Sequence, residues 1–326
     1  MNTPRRSSPP PLRSSGRSTP RGPRLKRRTR NLIRSAVLGV VLAVTAVVVP
    51  NSTVASTDAV LVEFKHTQGI DLNPDLVWIL AVGSDARPGE NMLRVRGDAL
   101  QLVGMNTKTG AATSIGIPRD SYVSIPGHGS DRINAALYYG GPQLLGEAVG
   151  NLIGIEPDYV FVTRFPFFEN MVDDIGGIDV RNPRSFYDPY LKPQGFDAGK
   201  HHLNGYNAMA FARIRKSLAG GDFDRSANQQ IVLKGIQGTI ARRAHERGFI
   251  ESGVLSVLKH LHTSVSPAEL FRIAQAVAQV DPKQITGCVV HGGFANVGGA
   301  SVVTPYVDQA RSYGKQARND ATIERC

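Results

Sequence analysis

GSDARPGENMLRVRGDALQLVGMNTKTGAATSIGIPRD, residues Gly83 to Asp120, is the stretch on which the reading of this chain turns. An apolar run, Val77 to Val82, ends abruptly in Gly83-Ser84-Asp85. A second, Ala99 to Met105, begins directly after Arg96-Gly97-Asp98, and a third, Thr113 to Ile117, runs into Pro118-Arg119-Asp120. Short apolar runs punctuated this way predict neighbouring strands that deliver acids and bases to one rim. Ligands of open α/β sheets sit at such a rim. Carboxylates there suit a hard cation, and guanidiniums suit a phosphate or carboxylate. Surface ion pairs at strand ends are the plainer alternative.

Downstream, Asn134 to Tyr139 and Gln143 to Ile153 show helical spacing on either side of Gly140-Gly141-Pro142. Tyr159 to Thr163 reads as a buried strand, Phe167 to Ile175 as a helix stopped by Gly176-Gly177, and Ile178 to Val180 as a short strand. Residues 181–204 hold three prolines and read as a long loop, a feature that is usually functional. Arg213 and Arg215 lie two apart. On a helix they would point roughly 200° apart, whereas on a strand they share a face. For both to serve one ligand, a helix must stop near Ala210 and Phe211 to Lys216 must be extended. After Gly220-Gly221, Asp222 or Asp224 can cap a long helix from about Arg225 to Arg247. On it, Arg225 and Gln229 share a face at i, i+4. A helix pair at 253–262 and 267–280, a strand at 285–291 and an amphipathic segment at 306–317 complete a three-layer α/β/α sandwich.

Upstream, the charge is uneven. The formal net charge is +11, but residues 1–34 alone hold eleven Lys or Arg and no acid. Subtracting them leaves 27 basic against 27 acidic residues. The basic character belongs to the tail, so it gives no ground for nucleic-acid binding by the folded part. Rich in Pro, Ser and Arg, the tail is expected to be disordered. Residues 35–55 follow as a transmembrane anchor or a signal segment. The uncharged core, Ala36 to Val49, spans only about 21 Å as a helix, and Leu32 to Val54 spans about 34 Å if Arg34 snorkels. The positive-inside rule then puts the tail in the cytoplasm and the rest outside, on a single-pass membrane protein. Residues 56–76 read as a connector to a domain over 77–326. Cys288 and Cys326 are the only cysteines. Outside the membrane they can pair in a disulfide or remain two free thiols.

The motifs GSDARPG, RGDAL, IPRDSYV, RINAALYYGG, DDIGGIDV, ARIR and GDFDRSANQQ, in that order, resemble the LytR-CpsA-Psr family over roughly Val77 to Gly235. The resemblance implies a central mixed sheet with a deep apolar groove for a lipid. It also implies a membrane-anchored extracytoplasmic enzyme that moves a glycopolymer from a polyprenyl-pyrophosphate carrier onto peptidoglycan. By the same resemblance Asp85 and Asp98 would hold Mg²⁺, or the similarly hard Mn²⁺. Arg96, Arg119, Arg213 and Arg215 would grip the pyrophosphate, with Arg225 and Gln229 close by. Asp120 or Asp222 could take the acceptor's proton or simply orient an arginine. The residues agree with the chemistry: phosphoryl transfer needs positioning and charge neutralisation rather than a nucleophilic Ser or Cys. Departures from the family pattern bear on polymer or acceptor preference: Gly97 for Ser, Arg132 for Lys, Asp224 for Gly and Asn228 for Arg. A lipid-pyrophosphate hydrolase would show the same rim chemistry. A membrane-tethered regulator binding nucleic acid through the tail finds no support, since the tail lacks aromatic residues and any folded DNA-binding pattern.

Overall fold

The computed structural model of the chain describes residues 58–65, 75–249, 253, 257 and 259–326. The basic tail and the membrane segment expected from the sequence lie outside these residues. Among the described residues no helix is long and apolar enough to cross a membrane.

Ala59–Glu63 (β1) opens the structure as a strand of the central sheet, although the sequence reads as a connector there. Leu76–Ser84 (β2), Gly97–Asn106 (β3) and Ala112–Gly116 (β4) follow as antiparallel neighbours, as the three apolar runs predict. Tyr122–Ile125 (β5) and Gly129–Arg132 (β6) form a hairpin outside this sheet. Tyr159–Arg164 (β7) inserts between β1 and β2 and runs parallel to β2. Farther along, Ile178–Asn182 (β8), Phe186–Asp188 (β9), Lys192–Phe196 (β10) and Gly199–Leu203 (β11) make two small antiparallel pairs. They replace the long loop expected over 181–204: its prolines and glycines sit within and between short strands, and main-chain pairing satisfies the backbone there. Leu261–Thr263 (β12) and Ile285–Val289 (β13) close the two edges of the sheet, whose order is β12-β1-β7-β2-β3-β4-β13. Residues Leu261 and His262, expected at the end of a helix, instead pair with the edge of β1. A last hairpin, Gly292–Val297 (β14) and Ala300–Pro305 (β15), follows β13. Parallel and antiparallel contacts coexist, so the sheet is mixed.

Side chains alternate across this sheet as strand geometry requires. Trp78, Leu80 and Val82 enter one core, under Ala135–Ile153 (α1) and Val307–Ala317 (α6). Val77, Met105 and Tyr159 enter the other. The break expected at residues 140–142 is a kink inside α1, with Gly141 at φ 73° and Pro142 following. On the second face, Phe165–Asp174 (α2), Gly205–Arg213 (α3) and Asp222–Arg243 (α4) enclose a further apolar cluster that includes Phe211 and Val232. Pro267–Gln279 (α5) completes that layer, its Ala276 buried among Val77 and Met105. Two glycines permit the close approaches. A Cβ on Gly104 would lie 2.4 Å from the Trp78 ring, and one on Gly116 would lie 2.3 Å from Ser226 Oγ on α4. The second fixes α4 against the strands that carry the rim. Cys288, on β13, is bonded to Cys326, with a Cα–Cα distance of 5.3 Å. Closing that loop contributes up to about 4 kcal/mol in the chain-entropy model.

Candidate active site

Strand polarity assembles the rim. β2 ends at Ser84 opposite Gly97, where β3 begins, and the pairing shifts register between Gly83 and Ser84. β4 ends at Gly116 and Pro118 diverts the chain. Asp85, Asp98, Arg119 and Asp120 therefore emerge at the same edge.

Arg213 joins them from the last turn of α3. Its Nη2 lies 3.4 Å from Asp85 Oδ1 and 3.7 Å from Asp98 Oδ2, and its guanidinium stacks 4.0 Å above the Phe165 ring. Arg119 forms a direct ion pair with Asp98. Burial, and then the charge of Asp98, push the Asp85 carboxyl above its usual pKa, against the pull of Arg213 and Arg119. Burial works against the charge of Arg119, but Asp98 and Asp120 outweigh it and raise its pKa.

A second group lies deeper. Arg225 Nη2 meets Asp222 Oδ1 at 2.7 Å, and both side chains are almost fully buried. Burial lowers the Arg225 pKa, with Asp222 opposing. Arg215 Nη1 bridges Asp120 at 3.3 Å and Asp222 at 3.4 Å. Arg132, not singled out as a site residue from sequence, approaches Asp120 at 3.6 Å. Gln229 accepts from Gln101 Nε2 at 3.0 Å and donates to the Ala212 carbonyl at 3.3 Å, which locks α4 to both β3 and α3.

Three expectations change. The helix does not stop at Ala210: α3 continues through Arg213, and the chain turns extended at Ile214, with φ −59° and ψ 132°. Ala, Met and Arg favour helix up to that point, and the turn at Ile214 suffices to aim both Arg213 and Arg215 at the rim. Neither Asp222 nor Asp224 is the helix cap; Gly221 precedes α4, and both acids lie in its first turn. Arg96 stands apart. It is exposed, makes no ion pair among the described residues, and its charge is felt at the Tyr139 hydroxyl. It precedes β3, so it misses the strand alternation that turns Asp98 inward.

Sequence reasoning also missed Phe165 and Gln101. The aromatic run Phe165-Pro166-Phe167-Phe168 signalled the first, and a lone Gln inside the apolar run Ala99 to Met105 signalled the second.

Behind the rim lies an apolar cavity of about 230 Å³. Phe161, Phe167, Met171, Met209, Val232 and Ile236 line it, and its polar end carries Asp98, Arg213, Arg225 and Gln229. Such a site can hold a long hydrocarbon with an anionic head. Among the described residues no group of three or more His, Cys, Asp or Glu side chains converges to hold a metal. Asp85 and Asp98, within reach of one guanidinium nitrogen, nevertheless match the one or two carboxylates that Mg²⁺ takes when phosphate oxygens and water fill its other positions.

The LytR_cpsA_psr family model matches residues 44–319. Over 175 residues the chain is 35% identical to the polyisoprenyl-teichoic acid–peptidoglycan teichoic acid transferase TagU of Bacillus licheniformis, covering 53% of this chain and 55% of that one. The chain thus spans little more than half the length of that curated relative. The crystal structure of B. subtilis TagV superposes with a TM-score of 0.62 at 26% identity, over 77% of this chain and 100% of that one. A structure of TagT bound to LI-WTA gives 0.62 at 25% identity, over 82% and 98%.

Proposed function

Because the chain belongs to the LytR-CpsA-Psr family, we propose that it transfers a glycopolymer from a polyprenyl-pyrophosphate carrier to a sugar hydroxyl of peptidoglycan. One observation carries this reading. The apolar cavity runs directly into a cluster of arginines and carboxylates. A hydrocarbon bound in the cavity would leave its pyrophosphate at the rim. The related TagU is named as a transferase of this class.

The acceptor hydroxyl oxygen attacks the phosphorus that bears the glycopolymer. The bond from that phosphorus to the bridging oxygen breaks, and polyprenyl phosphate departs with the bridging oxygen. The new bond is a phosphodiester between polymer and glycan. Arg213 and Arg215 donate to the phosphate oxygens, since planar guanidiniums match them bidentately. Arg119 holds Asp98 in place and adds positive charge beside the reacting phosphate. Arg225, held by Asp222, lines the cavity's polar end, and Gln229 keeps α4 in position. Asp85 and Asp98 would hold a Mg²⁺ ion, which when bound neutralises phosphate charge. Asp120 takes the hydroxyl proton, because it is the more accessible of the two inner acids. Asp222, 4% exposed, orients arginines.

In the cell the domain would stand outside the membrane, tethered by residues 35–55 with the basic tail in the cytoplasm. The Cys288–Cys326 bond supports that compartment, since disulfides persist outside the reducing cytosol.

The test is transfer of a labelled polyprenyl-pyrophosphate oligosaccharide to a defined glycan chain, with and without Mg²⁺. Label is expected on the glycan only when both are present. Label released as free sugar phosphate at the same rate with or without glycan would instead establish a hydrolase.

A further inference from the structure

Three rings form a file beside the rim, with Phe223 in the middle. Phe223, between Asp222 and Asp224 in the first turn of α4, stacks on His291 at 5.0 Å and 28°. Phe223 also lies 5.6 Å from Phe294, a residue 69% exposed on the β14–β15 hairpin. A large apolar side chain held in water at the end of such a file contributes little to the fold, and exposed apolar patches mark interaction sites.

The hairpin is also fixed to the reacting centre. Val303 N donates to the Asp120 carbonyl at 2.9 Å, and Ser121 bridges to Val303. Arg132 donates to the Ser301 carbonyl at 2.7 Å while its Nε faces Asp120 at 3.6 Å. Position on the hairpin is therefore referenced to the same loop that carries Arg119 and Asp120.

The sheet order supplies a direction. The apolar cavity is lined from β7, β2 and β3. His291 and Phe294 follow β13, beyond β4 on the opposite side of the rim, and pack there on Phe223 of α4. In phosphoryl transfer the attacking and leaving oxygens stand roughly in line across the phosphorus. A leaving polyprenyl phosphate whose chain fills the cavity departs toward β7 and β2. The incoming hydroxyl must then arrive from the β4–β13 side, where the rings stand.

We propose that Phe294, supported by Phe223 and His291, is the platform on which a pyranose ring of the acceptor glycan stacks. This deepens the transferase reading and rests on it for the direction of attack. Aromatic faces pair with the apolar face of a sugar ring, leaving the hydroxyls free for polar partners. The occupant is thus the sugar backbone of the acceptor glycan, for which a neutral N-acetylhexosamine oligomer is the soluble probe, rather than the lipid or its pyrophosphate.

Two measurements on the full chain in detergent separate the outcomes. The first is direct binding of a soluble N-acetylhexosamine oligomer in the absence of any lipid donor. Phe294→Ala is expected to weaken it about tenfold, roughly the loss of one aromatic contact, and Phe294→Trp to retain it. The second is transfer kinetics, in which Phe294→Ala raises the apparent KM for the glycan about tenfold while the KM for the lipid donor stays that of the wild type. Absence of oligomer binding by the wild type, or equal binding by wild type and Phe294→Ala, overturns the platform. Equal glycan KM values in the two proteins overturn it while leaving the transferase reading intact. Binding that depends on Phe294 in a protein that transfers nothing supports the platform and removes the transferase reading instead.

Discussion

Asp85 and Asp222 both answer arginines, but on opposite terms. Asp85 is 57% exposed and 3.4 Å from Arg213, whereas Asp222 is 4% exposed and 2.7 Å from Arg225. The Asp85–Arg213 contact is long and partly hydrated, so a phosphate or a cation can displace it at modest cost, as with other exposed pairs. The Asp222–Arg225 pair is closed. Its charges are desolvated and each is held by the other, so removing one leaves a buried charge without compensation. The difference separates a contact that is free to exchange partners from a pair that is built as scaffold.

The comparison breaks most visibly at the outer carboxylates. Asp85→Ala should lose metal-dependent turnover to background while its melting temperature stays that of the wild type. Asp98→Asn should lose turnover too, but with a lower melting temperature. Its side chain is only 12% exposed and is paired with Arg119. Full turnover in Asp85→Ala with Mg²⁺ present would remove the metal assignment.

At the inner pair the effect moves to stability. Asp222→Ala should cost about 3–5 kcal/mol in urea unfolding, the usual consequence of orphaning a buried ion-pair partner. A change within 1 kcal/mol, on the order of an exposed pair, would erase the distinction between the two pairs.

A smaller effect belongs to Arg213 and Arg215. Lysine keeps the charge and loses the fork, so each Arg→Lys change should slow turnover at least about tenfold, near 1.4 kcal/mol. The smallest is expected from deleting residues 1–55. Steady-state turnover of a short-chain, water-soluble donor should match the full chain, because none of the rim residues lies there. A large drop would show that the N-terminal segment contributes to the site itself.

Much of this was legible before the structure. The runs ending at Asp85, beginning at Asp98 and ending at Arg119 are strand-length, apolar and sharply punctuated, and they became β2, β3 and β4. Their polarity alone brings four rim residues together. The strands at 186–203 were hidden because their Pro and Gly content is that of a loop, and only the pairing of β9 with β10 and of β11 with β8 reveals them. The strand at Ala59–Glu63 was hidden for another reason: five residues carry too little periodicity to stand against a connector reading, and its partners β7 and β12 lie far along the chain. Arg213 was read correctly as a rim residue on a wrong local conformation. Helix propensity persisted three residues beyond Ala210, and tertiary packing around Ile214, 1% exposed, set the stop. Phe165 under Arg213 is a contact between distant segments, which spacing cannot encode.

The central claim is that Arg213, from the outer group, and Arg215, which bridges to the inner one, close on a single pyrophosphate. A double-mutant cycle on kcat/KM for the lipid donor tests it most directly, using Arg213→Lys, Arg215→Lys and the double variant. Shared binding predicts that the double variant loses clearly less than the product of the two single losses, because the second substitution acts on a ligand already loosened by the first. Losses that multiply, or a near-wild-type Arg215→Lys, would contradict it.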